Sequence, residues 1–431
     1  TKQPQLDNSG IYQPNELYKT ITKDENWQPT QAQLALHTTE EYKDKQGRVL
    51  LKRSYANVSG VATAHDTYYV YDDYGNLTYV IPPKASEDIL PNAAEDDIIS
   101  THESTSGNSL TLEANSSITM IPGFLAHTGS TFSSKIVNQN TTTSTLNLLC
   151  YQYKYDYRNR LIEKKIPGKG WEYIVYNKLD QPVLTQDKLQ RPNFEWLFTK
   201  YDAFGRVIYT GVHAQNTEIS QNTMQGYAND TSTYPEQYET QSSRATTLGD
   251  TSGYYTNNAF PNTIAKVYTL NYYDDYIDLP TGLTNTITTY YGLTSTTKTK
   301  GLATVSKVRV LRTTHWITTA TYYDAKARPI YTYSTNPYLG TIDIVESKLD
   351  FTGKVLETKT THKKTGQTDI ITLDTFTYDH TGRLLSQKQD INSQGEELIV
   401  KNHYDELGQL IKKDVGHTEA QPLQEVDYTY N

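Results

Sequence analysis

Ten histidines, a single cysteine and a recurring row of aspartates are the residues of this chain with the chemistry for metal ligation, nucleophilic attack or proton transfer. The histidines are His37, His65, His102, His127, His213, His315, His362, His380, His403 and His417. None falls in a His-Glu-x-x-His arrangement or a tight pair suited to zinc. A lone histidine at a turn, such as His380 after Asp379, reads as solvated. Cys150 precedes Tyr151 in a strand-like run and reads as a small buried residue, since a nucleophilic role needs a partner base. The sequence holds no Gly-x-Ser-x-Gly nucleophile elbow and no Gly-x-x-x-x-Gly-Lys phosphate cradle.

The aspartates are spaced too evenly for a catalytic pair. Glycosidase carboxylates form one unique couple, not a row. A calcium loop concentrates several acids within a dozen residues, whereas each site here offers one or two. Asp72-Asp73 and Asp274-Asp275-Asp278 are the densest acid clusters and keep a calcium reading open. Elsewhere a turn-capping role is favoured.

The elements that hold these aspartates repeat. Tyr71-Asp72-Asp73-Tyr74-Gly75-Asn76-Leu77 returns as Tyr201-Asp202-Ala203-Phe204-Gly205-Arg206-Val207, as Tyr378-Asp379-His380-Thr381-Gly382-Arg383-Leu384 and as Tyr404-Asp405-Glu406-Leu407-Gly408-Gln409-Leu410. Looser copies begin at Lys43-Asp44, Tyr155-Asp156, Tyr176-Asn177, Tyr323-Asp324 and Leu349-Asp350. From Asp324 to Asp350, Asp379 and Asp405 the steps are 26, 29 and 26 residues. Tyrosine and alternating apolar residues precede each copy and β-branched or apolar residues follow, which suits a pleated, half-buried surface. Between them Asp-x-x-Gly reads as a type I turn followed by a left-handed residue, with the Asp side chain bonding nearby backbone N–H groups. The turn residues predicted are Asp72, Gly75, Asp156, Asn159, Asp202, Gly205, Asp324, Asp350, Gly353, Asp379, Gly382, Asp405 and Gly408. Asn159 and Asp180 stand where glycine is missing, and both tolerate positive φ. Ala327 does not, so a different turn is expected there.

Composition agrees with walls of strands rather than a solid core. The chain has 431 residues, a formal net charge of −9, 36% hydrophobic residues, two Met, and 37 Tyr against 8 Phe. Mild acidity argues against a nucleic-acid partner and against reading the tyrosines as a stacking platform, which needs a basic groove. Shell packing is the favoured reading of the tyrosines, with a sugar-binding surface as the other. No run reaches the roughly 18 apolar residues of a membrane span. With one cysteine, no intramolecular disulfide framework forms.

The repeated Tyr-Asp-x-x-Gly-Arg-Leu unit resembles the YD repeats of Rhs and YD-repeat proteins and of the related insecticidal-toxin C components. Leu17 to Trp27, Thr39 to Asp44 and His65 to Pro83 are similar to the N-terminal region of large bacterial surface Rhs-type proteins. The resemblance implies an all-β fold, a strip of hairpins spiralling into part of a hollow shell. A stretch near Ile98 to Val137, with Ser109-Leu110-Thr111-Leu112, Ser117-Ile118-Thr119-Met120, Pro122-Gly123-Phe124 and Gly129-Ser130-Thr131-Phe132, resembles the three-coathanger stacked-strand module of secreted bacterial proteins.

The organisation expected is therefore an N-terminal YD-repeat-like region at 1–97, a small β-insert at 98–137, and a YD-repeat shell region at 138–431. A loop-rich insertion near 212–262, rich in Asn, Thr, Ser, Gln and Tyr, is expected to be a long surface or lumen loop. Tyr430-Asn431 would begin another repeat, so the chain is expected to be cut within a unit and to belong to a larger protein.

What the resemblance implies about function is a non-catalytic scaffold of a large exported protein that encloses or presents a C-terminal effector, often a toxin, for delivery to other cells. No cofactor or metal is expected. The partners implied are that effector domain of the same polypeptide, a secretion apparatus such as the type IX outer-membrane channel, and an immunity protein. The location implied is the exterior or cell surface of a Gram-negative bacterium. The self-cleaving aspartyl protease of some Rhs shells carries an Asp-Pro signature; no Asp-Pro dipeptide occurs here. The alternative is a cell-surface adhesin or glycan-binding repeat protein. A glycan-active enzyme is a third, weaker reading that lacks a convergent acid pair.

Overall fold

The computed structural model describes residues 12, 15–89, 109–114, 131–136 and 140–430, and side chains are described at 12, 15–86 and 145–430. The fold is all-β, with nearly every regular element a strand in an antiparallel ladder. The chain divides into two compact units, Thr1–Val175 with Thr185–Pro192, and Tyr176–Leu184 with Asn193–Asn431.

In the first unit the strands pair in sequence order through Tyr18–Lys23, Thr38–Lys43, Val49–Val58, Val61–Tyr71 and Leu77–Ile81. Leu77–Ile81 then pairs with Tyr151–Tyr155, and the ladder continues through Leu161–Lys165 to Glu172–Tyr176. The sheet thus skips the intervening chain, which holds the helices Pro83–Ile89 and Asn140–Leu149 and the strands Ser109–Ala114 and Thr131–Ile136. These two strands pair in parallel, unlike every ladder of the hairpin repeat. The segments 98–108 and 115–130, with Pro122-Gly123-Phe124 and the Gly129-Ser130 half of Gly-Ser-x-Phe, lie outside the described residues, and Thr131 and Phe132 begin the strand Thr131–Ile136. Where the sheet skips, Tyr79, Ile81, Ala85 and Cys150 form a small buried cluster backed by Tyr68, Val70, Leu146 and Leu149.

The ladder of the second unit runs from Glu195–Tyr201 through Val207–Ala214, Lys266–Asp274, Thr299–Arg309, Trp316–Tyr323, Pro329–Asn336 and Thr341–Leu349. It continues through Val355–Lys364, Ile370–Tyr378, Leu384–Ile391, Glu396–Tyr404 and Leu410–Thr418 to Gln421–Asp427. Its apolar core is concentrated in the first strands, where Trp196, Phe198, Tyr209, Leu270 and Tyr272 are almost fully buried. Each such side chain contributes about 1.5–3 kcal/mol of burial. Further along, strands such as Val355–Lys364 and Ile370–Tyr378 are only half-buried on both faces. There the sheet is a single layer held by main-chain ladders and cross-strand pairs.

The segment at 212–262 corrects the expectation of a loop. It contains the helix Gln221–Asn229, capped by Ser220, whose Oγ accepts the Thr223 N–H. It also contains the hairpin Gln241–Leu248 and Thr251–Tyr255. Met224, Ala228, Leu248 and Tyr255 are buried, and Tyr255 stacks on Tyr272 of the sheet at 5.3 Å. Polar composition hid this because few apolar residues, spaced to face one way, suffice when a sheet supplies the opposite half of the core.

Candidate functional site

The repeat turns share one geometry. The residue three after each Asp donates its N–H to the Asp carbonyl, and the Asp N–H donates to the carbonyl four residues on. This pair of bonds is present at Asp44, Asp72, Asp156, Asn177, Asp202, Asp324, Asp350, Asp379 and Asp405. The third position has positive φ in all of them, whether Gly47, Gly75, Gly205, Gly353, Gly382 and Gly408, or Asn159, Asp180 and Ala327. Ala327, expected to sit in a different turn, adopts φ 62° in the same one. The surrounding bonds enforce it. Asp324 Oδ1 accepts the N–H groups of Lys326 and Arg328 at 2.8 and 3.0 Å, and Arg328 Nε donates to Oδ2 at 2.7 Å. Alanine is the smallest side chain with a Cβ, so the strain is about 1–2 kcal/mol, within what those bonds offset.

The fourth residue after the Asp closes the turn with its side chain. Arg48, Arg160, Arg206, Arg328 and Arg383 each donate Nε to the carboxylate of their own turn. At Asn177 the polarity is reversed, and Asn177 Nδ2 donates to Gln181 Oε1 at 2.8 Å. The charge pair has been replaced there by an amide pair of the same shape.

The tyrosine before each Asp has a role that its side-chain type alone did not announce. Its hydroxyl donates to a carbonyl five residues past the Asp of the preceding turn. The pairs are Tyr71 to Val49, Tyr155 to Leu77, Tyr201 to Pro182, Tyr378 to Val355, Tyr404 to Leu384 and Tyr430 to Leu410, at 2.8–3.1 Å. The cation of the preceding turn also lies over the ring in several cases, as with Arg383 over Tyr404 at 4.6 Å and Arg206 over Tyr273 at 4.4 Å. Tyr155 and Tyr273 make the same bond across the two interruptions, Tyr273 to Val207 at 3.0 Å. Six repeat tyrosines thus fasten a hairpin to the turn before it, whereas Tyr323 donates to the Ala303 carbonyl at 2.6 Å and Leu349 precedes the Asp350 turn.

Within the acid clusters left open for calcium, Asp72, Asp274 and Asp278 have other partners. Asp72 accepts from the Tyr74 and Asn76 N–H groups and from Asn76 Nδ2. Asp274 is paired with Arg206 at 2.7 Å and Asp278 with Lys307 at 2.7 Å. The Arg206 guanidinium beside it, reinforced by the Gly301 N–H, holds the Asp274 carboxyl below the usual carboxylate range. Among the described residues no group of three or more His, Cys, Asp and Glu converges as for a metal. Burial pushes the Cys150 thiol up to about 11, which disfavours the nucleophilic thiolate. His213 is buried, and burial lowers its pKa; its Nδ1 lies 2.5 Å from the Thr263 carbonyl. His403 rests on Asp414 at 2.7 Å, in a polar recess where Lys388 and Lys401 both pair with Glu419.

One ionic site lies in the core of the second unit. Lys200, on strand Glu195–Tyr201, places Nζ 2.7 Å from Glu239 Oε1, and the two side chains are 1% and 0% exposed. Lys200 also donates to the Ala259 carbonyl. Glu239 Oε1 accepts the Ala259 N–H at 3.0 Å; its Oε2 accepts the Asn258 N–H at 2.9 Å and the Thr256 hydroxyl at 2.7 Å. Burial lowers the Lys200 pKa against the opposing pull of Glu239. Sequence reading missed this pair because its members are 39 residues apart and neither belongs to a motif.

Fold and turns together define an antiparallel β-hairpin repeat protein. No protein-family model matches the chain, and no curated protein matches it. Among solved structures it shows weak similarity to TcdB2-TccC3 with Cdc42, at 12% identity and TM-score 0.35, over 91% of this chain and 16% of that one. It is similarly related to TcdB2-TccC3 without its hypervariable C-terminal region, at 12% identity and TM-score 0.36, over 96% and 17%. The Photorhabdus luminescens Tc holotoxin pore matches at 13% identity and TM-score 0.33, over 91% and 16%. The chain thus spans about a sixth of the length of these structures. Among the described residues no helix is long and apolar enough to cross a membrane.

Proposed function

We propose that this chain is the scaffold section of a large exported Rhs-type protein, a wall that encloses or presents a C-terminal effector for delivery to other cells, and that it performs no catalysis itself. The observation that carries this reading is the tyrosine lock. Where the lock is present, a hairpin bonds to its predecessor through the Tyr hydroxyl, joined in some copies by the turn cation, so units add without a separate core. The turn carboxylates are consumed by backbone N–H groups and arginines, which gives them a structural task. A wall of paired strands leaves few free edges and can hold a chain away from proteases. The partners in this reading are the effector domain of the same polypeptide, an outer-membrane secretion channel of the type IX kind, and an immunity protein. The test is the full-length gene. A variable toxin-like domain downstream with an adjacent immunity gene supports the reading, and a full-length chain ending within one more repeat contradicts it.

A second reading, a surface adhesin binding glycans, is favoured by one feature. Several turn tips carry aromatic residues open to solvent, with Tyr74 and Phe204 81% and Phe351 84% exposed. Saturable binding on a glycan array, abolished when these tips become alanine, supports it.

A further inference from the structure

The Lys200–Glu239 pair has the surroundings of an acyl-transfer site. The amine and the carboxyl are in contact at 2.7 Å and sealed from water. Phe198 lies two residues along the same strand, hence on the same face, and Tyr209 stands opposite Lys200 in register. Phe198 and Tyr209 meet edge to face at 5.8 Å. In such a dry environment the neutral amine and neutral acid gain on the charged pair. The Ala259 N–H points at Oε1, where negative charge would build, and the Thr256 hydroxyl sits on Oε2. Preorganised donors of this kind stabilise a tetrahedral intermediate.

We propose that Lys200 and Glu239 condense to an intramolecular amide, a covalent strap between strand Glu195–Tyr201 and the segment packed over it. A proton passes from the ammonium to the carboxylate and settles on Oε2, exchanging through the Thr256 hydroxyl, and the Nζ lone pair then attacks Cδ. The charge formed on Oε1 is held by the Ala259 N–H. The Cδ–Oε2 bond breaks, and Oε2 leaves as water after receiving a proton from nitrogen through the Thr256 hydroxyl. One ammonium and one carboxylate yield one amide and one water, with no oxidant, reductant or cofactor. The strap fastens the buried heart of the unit in a chain whose single cysteine, Cys150, can form no internal disulfide.

Intact-mass spectrometry of the full chain, with tandem sequencing of its tryptic peptides, tests this directly. The expected result is a chain lighter than its sequence mass by one water, and a branched peptide joining the Lys200 and Glu239 segments with no cleavage after Lys200. Lys200→Met and Glu239→Ala each restore the sequence mass, and Thr256→Val lowers the converted fraction at a given time. The unmodified sequence mass with normal tryptic cleavage after Lys200, or a water loss mapped to another site, overturns the proposal. That reading needs only the unmutated protein, so it holds even where a variant fails to fold.

Discussion

The hydroxyl of Tyr378 donates to the carbonyl of Val355 at 2.9 Å, and Lys354, the residue just before that carbonyl, lies over the Tyr378 ring at 5.7 Å. One side chain thus ties a hairpin to the turn of its predecessor by a hydrogen bond and a cation–π contact at once. Tyr378→Phe keeps the ring and deletes the donor, and is expected to cost about 1 kcal/mol. Native-state hydrogen exchange of strands Val355–Lys364 and Ile370–Tyr378 is the measurement, because a repeat array opens piecewise. Tyr74→Phe, at an exposed turn tip, is expected to change nothing. Equal effects from the two substitutions would show that the lock adds no stability.

The turn aspartates make the wall acid-sensitive. Burial works to raise the carboxyls of Asp156, Asp324 and Asp379, but hydrogen bonds from backbone N–H groups and from Arg160, Arg328 and Arg383 hold them below their usual range. A carboxyl depressed in the folded state stabilises fully above its unfolded pKa, about 3.9. It loses that contribution as pH falls through the folded value. The repeat region is therefore expected to keep its stability down to about pH 4 and to lose it progressively below. Asp324→Asn flattens the acid limb of an exchange or denaturation profile at its own turn. An acid limb unchanged by that substitution contradicts the assignment.

Ala327 and Gly353 occupy equivalent positions, at φ 62° and 103°. Ala327→Gly relieves a strained backbone and is expected to stabilise by about 0.5–1 kcal/mol, after the entropy of the unfolded glycine is offset. Gly353→Ala is expected to destabilise by about 1–2 kcal/mol, its new Cβ also lying 3.4 Å from Arg328 Cδ. Opposite signs in urea denaturation are the check, and the same sign for both would refute the shared turn.

Gly211, on strand Val207–Ala214 against strand Lys266–Asp274, leaves no room for a Cβ. A Cβ there would lie 2.8 Å from Phe198 Cε1 and from Val267 Cα, and would run into the Lys266 carbonyl. Backbone cannot yield as a side chain does, so Gly211→Ala is expected to cost about 3 kcal/mol. A fall in melting temperature larger than that of Gly226→Ala, which meets nothing within 4 Å, checks it. Comparable falls would mean that this approach is not close in solution.

Much of the fold was legible because the turn chemistry is local. Asp, Gly and the flanking alternation specify a hairpin within a few residues; Asn159 takes the conformation of the glycine it replaces, and Asn177 that of the aspartate it replaces. Ala327 was misjudged because a propensity for one residue was weighed without the bonds that Asp324 and Arg328 bring to it. The tyrosine lock joins residues about 20–25 positions apart, or 78 across an insertion at Tyr155 and Leu77. Its spacing is visible in the repeat, but the direction of the hydroxyl is set by sheet twist. The 212–262 segment was illegible because its burial depends on the strands beneath it, and Glu239 becomes a core residue only when Lys200 is there to meet it.

The proposed function requires a wall of locked hairpins around a cargo chain. Electron cryomicroscopy of the full-length natural protein tests it most directly. The expected result is a continuous wall of hydrogen-bonded strands, with the Tyr378–Val355 type of contact recurring along it and density for the C-terminal segment inside it. An open sheet with its C-terminal segment folded outside in solvent would contradict it.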